Sequence, residues 1–158
     1  MIHDGNGNRI GRCVVTVESW EATAGRVVDR LGVGMDALWA VLFAAQTAAL
    51  LLSLAGPLVD DQPLSTVAMD LVEAVEELEW ARPELAAHGV GLDLVPIPDG
   101  DLARGRAGLA GLLRVALDVA TGLLRDPDRP LDTAELLAVS RVVTLLGTAH
   151  VGTTGQLP

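Results

Sequence analysis

The longest uninterrupted hydrophobic segment of the chain extends from Ala37 to Ala55, with the sequence ALWAVLFAAQTAALLLSLA and no charged residue. At about 1.5 Å of rise per residue, a helix of this length fits the thickness of a bilayer or the middle of a helical bundle. Its apolar side chains occupy every side of a helical wheel, and a helix that is apolar all round is buried in lipid or in protein. The pattern therefore predicts a buried helix.

Other segments on either side of this helix also show apolar residues at helical spacing. Gly32 and Gly34 end the first of them, and Asp36 is the predicted N-cap of the apolar helix. Pro83 disfavours continuation of the third helix. The five predicted helices cover, approximately, residues 17–31, 36–55, 65–81, 101–125 and 133–147. The fold expected from this order is all-α, a compact bundle of about five helices with an apolar central helix at about 36–55.

The remaining segments are expected to lie outside the helical core. Residues 1–14 are polar and glycine-rich, which indicates a flexible N-terminal segment. Residues 15–147 are expected to form a single helical domain, and residues 148–158 a disordered tail. The loop at residues 89–100 carries several apolar side chains, and these are expected to cover an open end of the core.

The composition supports the all-α prediction and excludes several chemistries. The chain has one Phe and no Tyr, whereas sheets are usually rich in aromatic and β-branched residues. It has no lysine, so a lysine Schiff base, lysine-anchored pyridoxal phosphate and a Walker-type phosphate loop are all excluded. The abundance of Ala, Gly, Val, Leu and Arg is typical of a high-GC bacterium.

The charge of the chain restricts its partners. A net charge of −10 makes this an acidic protein, which disfavours nucleic acid and anionic membrane surfaces as partners. A single cysteine, Cys13, cannot form an internal disulfide, and the polar N-terminus does not resemble a signal peptide. These features predict a cytoplasmic protein.

Three features favour burial of the central helix in protein rather than in a membrane. Its many alanines make it weakly hydrophobic for a membrane span, and its flanks carry acidic rather than basic residues. The apolar part of the fifth helix, residues 136–146, is too short to cross a bilayer and needs a protein partner. Because a five-helix bundle can surround only one helix that is apolar all round, we expect a homodimer.

One candidate site lies along the central helix and involves the fifth. Trp39, Phe43 and Gln46 share a face of the central helix. In a core, the carboxamide of Gln46 needs a hydrogen-bonding partner, which is either a neighbouring helix or a ligand in a cavity. Arg141 lies on a nearly all-apolar helix and needs an acidic partner, which is either a subunit contact or a ligand carboxylate. These four residues form the candidate ligand-binding site.

A second candidate site lies on the third helix. Trp80 falls opposite the apolar stripe of this helix, near Glu73 and Glu76, with Met69 on the same side. A Trp on an acidic outer face is either covered by another element, such as the loop at 89–98, or left for a partner. Since Trp and carboxylates together attract cations, Met69, Glu73, Glu76 and Trp80 are candidate contacts for a basic partner.

The pattern of titratable residues does not indicate a metal site or a cofactor. No His follows any glutamate of the third helix by three residues, as it would in a di-metal bundle. The chain is therefore expected to be a non-catalytic binding protein, a homodimer that engages a protein partner or an apolar small molecule between helices. The first alternative is a cofactor-independent cyclase or isomerase of bacterial specialised metabolism that uses Gln46, Asp118 or Arg141. A further alternative is a small membrane protein anchored by residues 37–55.

Overall fold

The computed structural model describes residues 19–55, 62–88 and 101–154, without the side chains of residues 62, 63 and 88. These residues form α-helices and no strands, which confirms the all-α prediction. The helices number six within the described ranges, one more than predicted, because a short helix follows Pro83. They are α1 (Trp20–Leu31), α2 (Met35–Ala55), α3 (Gln62–Ala81), α4 (Glu84–His88), α5 (Leu102–Arg125) and α6 (Thr133–Thr154).

Four of the helices form a bundle in which α2, α3, α6 and α5 follow one another around a ring. Neighbouring helices are antiparallel. Trp39 at the start of α2 bonds Glu79 at the end of α3, and Arg82 just after α3 bonds Glu135 in the first turn of α6. Helix α1 lies outside the ring against α5 and α2, and α4 adjoins α3. In this arrangement α2 and α6 are diagonal. Arg141 on α6 is therefore separated from Trp39, Phe43 and Gln46 on α2, with which it was predicted to form a site.

The ends of α1 follow from two local signals. The side chain of Ser19 caps its N-terminus by accepting a hydrogen bond from the backbone N–H of Ala22 at 3.2 Å. Gly32 ends the helix at φ 76°, a left-handed conformation that glycine adopts without a steric penalty. The predicted start near Val17 and the flexible segment 1–14 lie outside the described residues.

The predicted starts of two helices need correction. Helix α2 begins at Met35, and the N–H of Leu38 bonds the carbonyl of Gly34, so Asp36 lies in the first turn and is not the N-cap. Helix α3 begins at Gln62, three residues before the predicted start at residue 65. The backbone of Pro63 lies in the first turn of α3. N–H groups there have no acceptor within the helix, so the missing N–H of proline costs no hydrogen bond.

The largest difference from the predicted helices is the C-terminal end of α6. Asp132 and Glu135 form a reciprocal capping box at the start of α6, and the helix continues through Gly147 to Thr154. Residues 148–154, assigned to a disordered tail, are therefore helical, and Ala149 is fully buried within them. A mid-helix glycine costs about 0.5–1 kcal/mol, which burial of the following turn offsets. Residues 155–158 and the loop at 89–100 lie outside the described residues.

The extension also removes one argument made from the sequence. Helix α6 has 22 residues, so the expectation that it is too short to cross a bilayer is wrong. Within the described ranges, α2, α5 and α6 are all long and apolar enough, by length and composition, to span a membrane.

Helix α2 supplies the largest part of the core but is not surrounded by the other helices. Its inward side chains, including Leu38, Leu42 and Leu52, are fully buried. Its outer side nevertheless exposes Leu51 and Leu54 to solvent. Helix α2 is thus one wall of a four-helix bundle rather than its central helix, because the outward side that carries Leu51 and Leu54 is not covered by the other described helices.

Candidate functional site

Four residues of α3 form an exposed row on the outside of the bundle. Met69, Glu73, Glu76 and Trp80 follow one another at helical spacing, while Leu71 and its apolar neighbours point inward. This row is called the α3 surface below. The wheel of α3 predicted this arrangement, and the structure brings all four residues to one side of the helix.

Trp80 is the most exposed aromatic side chain in the described part of the chain. Its relative exposure is 72%, and that of Met69 is 65%. Beside the indole lies an open depression of about 420 Å³, lined by Glu73, Glu76, Glu77 and Trp80. An apolar ring next to carboxylates is therefore accessible from solvent.

Arg141 of α6 holds part of this acidic surface in place. Its guanidinium donates a short hydrogen bond to Glu73 and forms an ion pair with Glu77 at 2.9 Å. The hydrogen bond to Glu73, followed by the charges of Glu77 and Glu73, raises the pKa of Arg141. Glu76, by contrast, makes no hydrogen bond or ion pair with the described residues. One carboxylate of the surface is thus free to accept a donor from outside.

Asp70 lies next to this row and was not singled out from the sequence. Its Oδ2 atom is buried and has no hydrogen-bonding partner among the described residues. Burial, and secondly the nearby charge of Glu73, raise the pKa of the Asp70 carboxyl. In the sequence, Asp70 is one of several carboxylates on α3, and nothing marks it as different from the solvated ones. Its partial burial is visible only once the helices are packed together.

Three of the four candidate ligand-binding residues lie together on the α3-facing edge of α2. Trp39 is buried, its Nε1–H donates to Oε1 of Glu79 at 3.0 Å, and its ring stacks on Phe43 with centroids 5.0 Å apart. Gln46 is half-buried, and its Oε1 atom is buried without a partner in the described structure. The Trp39 partner, Glu79, could not be identified from the sequence because forty residues separate them.

The fourth candidate residue, Arg141, is not part of this group. It lies on α6, which is diagonal to α2, and its acidic partners are Glu73 and Glu77 of the same chain. The structure therefore does not assemble Arg141 with Trp39, Phe43 and Gln46. The i, i+4 spacing of the two glutamates places them on one side of α3, but it did not indicate Arg141 as their partner.

A second open depression, of about 240 Å³, lies between α1 and α5. Its lining includes apolar side chains, among them Val28, Val33 and Val115, and the carboxylates of Asp29 and Asp118. Gln46 lines neither this depression nor the one beside Trp80. The three residues considered for catalysis, Gln46, Asp118 and Arg141, lie on three different helices. They do not line a common depression in the described structure.

The described residues contain no group of three or more His, Cys, Asp or Glu side chains arranged to hold a metal ion. No family model, curated protein or solved structure matches the chain. The function must therefore be inferred from the geometry of the chain itself.

Proposed function

We propose that this protein is a non-catalytic helical binding protein that engages a basic segment of a protein partner through the α3 surface. The observation that carries the proposal is the 72% exposure of Trp80 beside an open acidic depression. Exposed Trp residues are frequent energetic centres of protein interfaces, because a large apolar ring leaves water when a partner binds.

The chemistry of the α3 surface fits a guanidinium or ammonium group. A cation above the indole face of Trp80 is attracted by the ring, and the carboxylate of Glu76 accepts its hydrogen bonds. Glu73 is already held by Arg141, so less side-chain freedom is lost on binding. The net charge of −10 steers a basic partner toward the protein at low ionic strength.

The alternatives receive less support from the described residues. A small-molecule site on α2 would rely on the unpartnered Oε1 of Gln46, because the indole N–H of Trp39 is already bonded to Glu79. Gln46, however, lines neither of the two described depressions. The enzyme alternative would use Gln46, Asp118 or Arg141. Gln46 and Arg141 line neither described depression, and the guanidinium of Arg141 is already bonded to Glu73 and Glu77. We also propose that the protein is cytoplasmic and acts without a cofactor.

A peptide titration tests the proposal. The probe is a fluorescein-labelled amphipathic helix with three arginines at i, i+4 and i+7, and binding is measured by anisotropy. We expect Trp80→Ala and Glu76→Gln each to weaken binding by about 5- to 30-fold, or 1–2 kcal/mol, because each removes one contact with the cation.

The matched control is Asp128→Asn, which removes the same charge from an exposed site in the turn between α5 and α6. The proposal predicts a change of less than about twofold for this variant. If Asp128→Asn weakens binding as much as Glu76→Gln, the peptide responds only to the net negative charge of the protein. If Trp80→Ala binds like wild type, the indole makes no contact with the peptide. Either result shows that the α3 surface is not the site.

A further inference from the structure

The outer side of α2 carries a second exposed row that is distinct from the α3 surface. Phe43, Leu50, Leu51 and Leu54 are 41%, 42%, 54% and 82% exposed, and the exposed side chain of Thr47 lies between them. Contiguous exposed apolar patches of this kind mark interaction sites in soluble proteins. This row is called the α2 seam below.

The α2 seam is uncharged, which separates it from the exposed apolar side chains of the α3 surface. Met69 and Trp80 alternate with glutamates, whereas no charged residue occurs between Ala37 and Ala55. Two copies of a chain with a net charge of −10 repel each other, so they associate best through a surface without charge. The α2 seam meets that requirement, and a basic partner would find no carboxylate there.

The spacing of the α2 seam is that of a helix that pairs with another helix. Positions 43, 47, 50 and 54 alternate steps of four and three residues, the a/d pattern of a coiled coil. When two copies run antiparallel about a two-fold axis, Phe43 of one meets Leu54 of the other, and Thr47 meets Leu50. Each layer then contains one larger and one smaller side chain, so the row is complementary to itself, as an isologous contact requires.

We propose that the α2 seam is the contact between two copies of this chain, joined antiparallel along α2. The contact spans about three helical turns, which is short for a dimer interface, so we expect dissociation in the micromolar range. The inference does not depend on the proposed function, because the α3 surface contributes no residue to the seam.

Sedimentation velocity from about 1 to 200 µM tests the dimer, a range that spans the expected dissociation constant. Wild type is expected to approach twice the chain mass of 16.4 kDa at the upper end. Leu54→Glu is expected to stay monomeric throughout, because it places a carboxylate in the seam opposite Phe43. Leu137→Glu, at a 63% exposed site on α6, is the matched control and is expected to dimerise like wild type.

Disulfide cross-linking tests the orientation in a Cys13→Ser background. Thr47→Cys and Leu50→Cys chains are mixed and oxidised, and the antiparallel seam predicts that the mixed dimer exceeds either self-linked dimer. A parallel pair would instead link Thr47→Cys to itself. Circular dichroism confirms that every variant remains helical.

Four results overturn the inference. They are a wild-type monomer at 200 µM, a dimer that survives Leu54→Glu, preferential self-linking of Thr47→Cys, and wild-type protein found in the membrane pellet, where lipid rather than a second copy would cover the seam. Trp80→Ala is expected to leave dimerisation unchanged. The peptide titration and the dimerisation experiments can therefore fail independently, and each result identifies which of the two proposals is wrong.

Discussion

Trp39 and Trp80 show how the position of a residue relative to the apolar stripe decides its role. Trp39 lies within the packed side of α2, and its N–H has a partner in Glu79. Trp80 is the next residue after Glu79 on α3, yet a rotation of about 100° turns it to solvent. The outward direction of Trp80 was predictable from the wheel of one helix, but whether another element covers it was not. The partner of Trp39 likewise required the packing of two helices.

Asp70 leads to a prediction about pH. Folding raises the pKa of its carboxyl, so the folded state binds this proton more tightly than the unfolded state. The free energy of unfolding therefore falls as pH rises from the unfolded pKa through the folded pKa, and the loss is complete once the pH is well above the folded pKa. We expect Asp70→Asn to be more stable than wild type at pH 7, with a gain that shrinks on acidification below the folded pKa.

Urea denaturation at a series of pH values between 7 and 3 measures the effect. Asp128→Asn, at an exposed carboxylate, serves as the control for the change in net charge. A stability gain in Asp70→Asn that stays constant across the series would contradict the assigned cause, since an uncharged packing effect does not titrate.

At the scale of the helices, glycine has two different roles. Gly108 of α5 lies directly under the indole of Trp20, which is how α1 approaches the outside of the ring. Gly147 of α6 has open space where a side chain would be. The helix predicted at residues 133–147 ended at Gly147, whereas α6 extends past this glycine and buries Ala149.

Alanine substitutions distinguish the two glycines. In Gly108→Ala the new Cβ would lie 2.7 Å from Cε3 of Trp20, so the rigid indole must move, and we expect a loss of about 1–3 kcal/mol. In Gly147→Ala nothing lies within 4 Å, and we expect a gain of about 0.5–1 kcal/mol from helix propensity. Urea denaturation measures both, and a stabilised Gly108→Ala variant would refute the close approach of α1 to α5.

At the scale of the whole molecule, two of the three long apolar helices, α5 and α6, each carry an exposed arginine near their middle. Arg141 in the middle of α6 pairs with α3, and Arg114 in the middle of α5 pairs with Glu21 of α1 at 2.8 Å. Both arginines are more than half exposed on the outside of the bundle. In a bilayer these groups would face hydrocarbon at a cost of several kcal/mol each. The distribution of charge therefore supports the proposal of a soluble protein, although three helices have the length of a membrane span.

Cell fractionation tests this proposal. We expect nearly all of the untagged protein in the supernatant of a detergent-free lysate after ultracentrifugation. A protein that stays in the pellet after carbonate extraction would show that α2, α5 or α6 inserts into a membrane. Native mass spectrometry of the soluble fraction then reports any retained ligand as extra mass.

The sequence determined the helical content, most helix boundaries and the outward face of α3. Helical periodicity and local signals such as Gly32 and Pro83 act within a few residues. Helices and their ends can therefore be predicted without knowledge of the fold. The outward direction of the α3 surface followed from the same local geometry, whereas its exposure depended on what packs against it.

Only the tertiary structure decided which faces of α2 are covered and which acids pair with Arg141. An all-apolar helix has no polar side that marks its solvent face, so its exposed row depends on how many helices surround it. Arg141 meets Glu73 and Glu77 because α3 and α6 are adjacent and antiparallel in the ring. Contacts between residues nearly seventy positions apart depend on the arrangement of helices, which no local pattern encodes.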